Sequence, residues 1–194
     1  MMTFKITKHV KVAVLVVIVL SVVVGSLTFF SSKKNNNLQA STFSKSKQDK
    51  VIISASYPKY HPDLKSLYVD ADVVVYGEVA KEMPSRKDSD LVFTDSEVNV
   101  IQYLKNPQTF SNVVIQQDGG TINNTEYINS DIPLFKKGEK YLLFLKHIDD
   151  NRYYVMSPIA LYEVKNGQAI HKEKSRNKDF NDLIKDINKL QNKN

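Results

Sequence analysis

The chain has 194 residues, 42% of them hydrophobic, with a formal net charge of +6 and no cysteine. The missing cysteine excludes a disulfide scaffold, a thiolate metal site, a cysteine nucleophile and a lipid-modified cysteine. The positive charge sits in the arms: residues 1–30 carry +3, residues 31–50 carry +4 and residues 175–194 carry +2, while residues 51–174 hold 14 basic and 17 acidic side chains. Nucleic-acid binding draws on Lys and Arg against phosphates, so no nucleic-acid partner is expected for that region.

Residues 1–11 form a basic tail with Lys5, Lys8 and Lys11, and residues 12–30 are uncharged and strongly apolar, including Val12, Leu15, Ile18, Leu20, Val24, Leu27 and Phe30. As a helix this stretch reaches roughly 28 Å at about 1.5 Å per residue, the thickness of the bilayer's hydrocarbon. So many β-branched residues make a poor helix in water, but in lipid the backbone can pair only with itself. A transmembrane helix in contact with the lipid bilayer is predicted. Gly25 and Ser26 permit a cleaved signal peptide as the alternative. Val23 or Val24 at the −3 position and the continuation through Leu27, Phe29 and Phe30 favour a retained anchor. A short basic tail resists translocation, whereas long domains cross largely regardless of charge. The expected location is therefore the cell membrane, single-pass, with the C-terminal domain extracytoplasmic, or the medium after signal cleavage.

Residues 31–50 are rich in Ser, Asn, Lys and Gln, with Leu38, Ala40 and Phe43 the apolar exceptions. Such a segment buries too little surface to offset its chain entropy and reads as a flexible stalk. Abundant Lys and Asn with no Trp fit AT-rich coding, as in a low-GC bacterium, and the predicted anchor then implies a setting at the bacterial cell surface.

Residues 51–174 read as a β-rich extracytoplasmic domain, because their apolar residues recur at period two. Strands are predicted at Val51–Ser56, at Asp72–Val79 with Val73, Val75 and Val79 on one face, and at Leu91–Leu104 with Val92, Val98 and Val100 opposite Asp95, Glu97 and Asn99. Val113–Gln117 is a shorter strand, closed by Asp118-Gly119-Gly120. Tyr141–Leu145 is apolar on both faces, which suits a central strand. Asp149-Asp150-Asn151 turns the chain into Tyr153–Met156, and Asn166-Gly167 carries a strong hairpin signal. Helix is confined to the edges: Asp63–Val69, and an amphipathic segment within residues 175–194 with the stripe Phe180, Leu183, Ile184, Ile187 and Leu190, capped by Asp179. The pattern is mainly β, an antiparallel barrel or a sandwich with a short C-terminal helix.

Ala71–Val79, the long strand ending at Leu104-Lys105, Val113–Gly120 and Lys137–Leu145 together resemble, in their order, the OB-fold barrel of the netrin and tissue-inhibitor-of-metalloproteinases type. The resemblance covers roughly residues 70–165 and implies a small OB-like barrel. In the animal inhibitors of that family a terminal Cys places its amine and carbonyl on the protease zinc. This chain has no Cys, so the resemblance carries fold without that activity.

Three His-x-acid pairs occur, His61 with Asp63, His147 with Asp149 and His171 with Glu173; on a strand, residues two apart share a face and can reach one metal. His147, Asp149, His171 and Glu173 are the candidate metal ligands, with solvated loop positions as their ordinary reading. Ser56 and Lys59 match a Ser-x-x-Lys spacing, but Pro58 opposes the helix that chemistry needs. No cofactor fingerprint is present. The ten tyrosines are the enrichment suited to ligand contact, barrel core and rim being their ordinary place. The expected function is a membrane-anchored extracytoplasmic module that binds a protein or cell-wall polymer without catalysis; the alternative is a metal-assisted hydrolase using the His-x-acid pairs.

Overall fold

The computed structural model describes residues 48–57 and 59–192. The Val12–Phe30 span, its basic tail and the stalk up to Lys47 lie outside the described residues. Among those described, no helix is long and apolar enough to cross a membrane.

In chain order the elements are strand β1 (Asp49–Ile53), helix α1 (Leu64–Asp70), β2 (Val73–Glu82), β3 (Arg86–Asp88), β4 (Leu91–Lys105), β5 (Asn112–Ile122), β6 (Thr125–Asn129), β7 (Lys140–Asp149), β8 (Arg152–Val155), β9 (Leu161–Lys165), β10 (Gln168–Ile170), β11 (Lys178–Asp179) and helix α2 (Phe180–Gln191). Five of the strands form a ring. β2 pairs antiparallel with β4 and β7, β4 pairs with β5, β7 pairs with β8, and β8 runs parallel to β5. The sheet is therefore mixed, which corrects the wholly antiparallel expectation. A ring with an odd number of strands cannot alternate direction all the way round, and the β5–β8 seam takes up the mismatch. β1 adds a second parallel pair along β6.

Tyr141–Leu145 on β7 is buried throughout, as its two-faced pattern predicts, with Leu142 to Leu145 fully so. β2 departs from the reading by alternation, because Val74 is as buried as Val73 and Val75. Tyr76, two residues on and on the face of Val74, packs against Phe180 of α2 with ring centroids 4.6 Å apart. The terminal helix therefore meets, at Tyr76, the face that a half-buried strand would leave to water. Each such fully buried side chain contributes about 1.5–3 kcal/mol of hydrophobic stabilisation.

β4 holds a surprise of the opposite kind. Val92 and Val98 point inward as expected, but the inward positions between them are Thr94 and Ser96, both buried. Their hydroxyls are satisfied: Thr94 donates to the Gly119 carbonyl at 2.8 Å and Ser96 to Gln117 Oε1 at 3.2 Å. Buried Gln117 in turn accepts from the Phe135 amide at 3.0 Å and donates to the Pro133 carbonyl at 2.9 Å. This network ties the loop before β7 to the inside of the ring.

β5 is longer than predicted. Asp118-Gly119-Gly120 does not end it; the strand continues to Ile122 with Gly119 and Gly120 at φ +110° and +139°. Up to Asp118 it pairs with β4, and from Gly119 onward with β6. The glycines let it change partners. A Cβ on Gly120 would fall 2.1 Å from Ser85 Oγ and 2.4 Å from Thr94 Oγ1, so only glycine allows β5 to pass this close.

Both helices are capped by chemistry legible in the sequence. Asp63 accepts from the Ser66 amide at 2.7 Å, with Ser66 reciprocating, and Asp179 accepts from the amides of Asn181 and Asp182. No basic residue lies in the last turn of α1. Lys105 of β4 serves that end instead, donating to the carbonyls of Tyr68 at 2.6 Å and Val69 at 3.1 Å.

Candidate functional site: a cleft at the seam of the ring

The parallel pairing of β8 with β5 runs from Val114 opposite Arg152 to Gln116 opposite Tyr154 and goes no further. β5 continues past that point and turns away toward β6. Between the diverging strands lies a cleft of about 240 Å³, walled chiefly by Tyr57, Gln116, Gln117, Asp118, Asn129 and Tyr154. Ala55 to Tyr57, the segment that follows β1, forms one wall, and Ile132, Val155 and Met156 supply apolar lining.

The three side-chain amides around the cleft, Gln116, Gln117 and Asn129, are already held. Arg86 donates to Gln116 Oε1 at 2.7 Å, pairs with Asp95 at 2.6 Å and lies over the Phe93 ring at 5.6 Å. Asn129 Oδ1 accepts from the amides of Asp131 and Ile132, at 2.9 and 3.3 Å, which fixes that corner of the wall. Gln117 is committed to the inner network.

Two groups stand apart. Among the described residues no hydrogen bond or ion pair reaches the Asp118 carboxylate, and burial pushes its carboxyl above the usual range. The Tyr57 hydroxyl is buried beside the Asn129 amide without closing a hydrogen bond to it, and burial raises that phenol as well. The Tyr57 hydroxyl departs from the rule that buried polar groups find partners, and the Asp118 carboxylate beside it is partly buried. A second, more open cleft of about 520 Å³ shares Tyr57 as a wall and runs past Tyr60, Ser157 and Ile159.

The His-x-acid residues are placed differently. His147, exposed, lies 3.0 Å through Nε2 from the Asp150 carbonyl, and Asp149 is paired with Arg152. His171 is buried: its Nδ1 accepts from the Glu173 amide at 2.8 Å and its Nε2 lies 3.2 Å from the Ile159 carbonyl, so both ring nitrogens are engaged. Glu173 is held by Arg176 at 2.7 Å. His61 is buried against Asp70 at 2.9 Å, and Asp63 is spent on its helix cap. Among the described residues no three His, Asp or Glu side chains converge as a metal ion would need. Lys59 of the Ser-x-x-Lys spacing donates to Asp70 at 2.8 Å.

Asp118 escaped the sequence reading because Asp-Gly-Gly signals a turn. The signal that finds it is parity. Val113, Ile115 and Gln117 face inward, so Asn112, Val114, Gln116 and Asp118 face outward once the strand is allowed to continue through the glycines. The tyrosines divide as the two readings allow: Tyr68, Tyr141, Tyr153 and Tyr162 are buried, while Tyr154 is 44% and Tyr60 76% exposed.

In comparisons with known proteins, the chain matches no protein-family profile and no curated protein.

Proposed function

We propose that this chain is an extracytoplasmic binding module, tethered to the cell membrane by Val12–Phe30 and a stalk, whose ligand seats in the Asp118 cleft. The observation that carries the binding reading is the buried, unpaired Tyr57 hydroxyl at a cavity large enough for part of a ligand, with the partly buried Asp118 carboxylate, to which no described residue bonds, in the same lining. Buried polar groups without partners are unfavourable unless something else supplies the missing bonds. The tether rests on the length and charge-free interior of the span. A protein or a cell-wall polymer remains the class of partner that fits an exported domain.

The OB-type reading, and with it the likeness to netrin-type barrels, is supported by the ring order. Taken in chain order, the first ring strand pairs with the second and fourth, and the third lies parallel to the fifth. OB folds are five-stranded Greek-key barrels that bind extended polymers on the face of their second and third strands. Here those strands are β4 and β5, and Asp118 lies on β5.

The test is retention of the full-length chain, purified in detergent, on isolated cell envelopes. Wild type should be retained, and Asp118→Asn and Tyr57→Ala should be released while their circular dichroism stays unchanged. Equal retention of all three would remove the cleft from the binding reading.

A further inference from the structure

We propose that the Asp118 cleft is a seat for an alkylammonium group, a deepening that rests on reading the cleft as the ligand site. Among the described residues its lining contains one carboxylate and no Lys, Arg or His. Cations held nearby are committed elsewhere: Arg86 to Asp95 and to the Gln116 carbonyl, and Lys172 to Asp131. Among the described residues the Asp118 charge is thus left uncompensated, in a partly buried place where water compensates it poorly.

A ligand cation meets both needs, since an ammonium donates hydrogen bonds to the carboxylate and cancels its charge. The aromatic groups suit the same guest. Tyr57 and Tyr154 stand at the cleft, and tyrosine faces attract ammonium groups through the ring quadrupole. The Tyr57 phenol also feels the negative charges of Asp118 and Asp131, so the field around it favours a cation. Apolar lining from Ile132, Val155 and Met156 would receive the methylenes of an alkyl chain.

Size narrows the class further. A volume of about 240 Å³ corresponds to roughly eight waters at about 30 Å³ each. That accommodates a butyl- or pentylammonium group with some hydration. Two sources present this chemistry: a lysyl side chain of a peptide, and an amine carried by a non-peptide molecule.

Calorimetric titration of the full-length chain in detergent separates the possibilities. The probes are pentylamine and Nα-acetyl-lysine methylamide, with 1-pentanol and the Nε-acetylated lysine derivative as neutral counterparts. Both amines should bind and both neutral compounds should not, and Asp118→Asn should weaken the amines by about tenfold or more. Tighter binding of the lysine derivative would assign a peptide source, and equal binding a non-peptide amine. Asp118→Asn should remain folded, because it removes an uncompensated charge. Tyr154→Leu is a second variant, expected to weaken the amines about threefold or more through loss of the ring face. Neutral compounds binding as well as the amines, or Asp118→Asn binding them undiminished, would overturn the ammonium assignment. If neither amine binds or displaces the chain from envelopes, yet Asp118→Asn still abolishes envelope retention, the cation assignment falls and the ligand seat stands. Loss of neither property in the variant removes both.

Discussion

Gly120 and Asp70 show how much of this domain hangs on single residues. Gly120 sits at φ +139° with the Ser85 and Thr94 hydroxyls where a Cβ would go. Those hydroxyls are bonded to each other at 2.9 Å, and Ser85 also accepts from the Thr121 amide at 3.0 Å, so they have little freedom to move. Gly120→Ala should therefore lower stability by about 3 kcal/mol in chemical denaturation of the full chain, from overpacking added to backbone strain. Asp70 is an electrostatic centre. The hydrogen bond from Lys59 above all, then that to His61 and the charge of Lys146, outweigh burial and hold its carboxyl at about 2, below its ordinary 3.8. A folded-state value depressed in this way means a stability contribution that is present above about pH 4 and lost as pH falls toward about pH 2. The melting temperature of wild type should fall more steeply across that window than that of Asp70→Asn. Parallel acid profiles would show that Asp70 does not contribute.

The terminal helix and the last hairpin are single elements whose ends are set by local chemistry. Asp179 accepts two backbone amides at the start of α2, whose Leu183 and Ile187 are buried against the sheet. Asp179→Ala should lower stability by about 1 kcal/mol, the usual effect of losing an N-cap, and Asp179→Ser should restore most of it. Between β9 and β10, Lys165 pairs with Gln168, so Asn166 and Gly167 form a two-residue loop, at φ +52° and +76°. Both central residues at positive φ are what a type I′ turn requires. Gly167 has open space around the place of a Cβ, so substitutions there report backbone conformation alone. Gly167→Val should destabilise by about 1–2 kcal/mol and Gly167→Asn by much less, since a β-branched residue resists the left-handed region and Asn tolerates it. Equal melting temperatures for the two variants would contradict that account.

At the scale of the whole molecule, the proposed tether makes two checkable statements, that the domain stays attached to a membrane and that it lies outside the cytoplasm. If Val12–Phe30 is a retained anchor, a carboxy-terminally tagged chain should fractionate with membranes at nearly full length, resist carbonate extraction and dissolve in detergent, because burial in lipid rather than surface charge holds it. Protease added to intact protoplasts should remove the domain. A mature amino terminus near Leu27 in the medium would establish a cleaved signal peptide instead, and a protected tag would place the domain in the cytoplasm.

The sequence by itself determined the features that depend on local chemistry or on one strand's pattern. The Asp179 helix cap, the Asn166-Gly167 turn and the buried Tyr141–Leu145 strand all follow from a few neighbouring residues, and each is found where those residues place it. Tertiary structure alone decided what depends on partners distant in the chain. Val74 is buried on the face of β2 that also carries Tyr76, which Phe180 of α2 meets, and Thr94 and Ser96 face inward because Gln117 and the Gly119 carbonyl receive them. The parallel β5–β8 seam follows from closing an odd ring. The cleft exists because β5 leaves that seam after Gln116 and its β4 partner after Asp118, and the exchange of β4 for β6 uses two glycines whose role appears only when β6 and Ser85 lie beside them. A short window records the preference of each residue for a conformation; it cannot record which remote strand will lie close enough to make that preference a site.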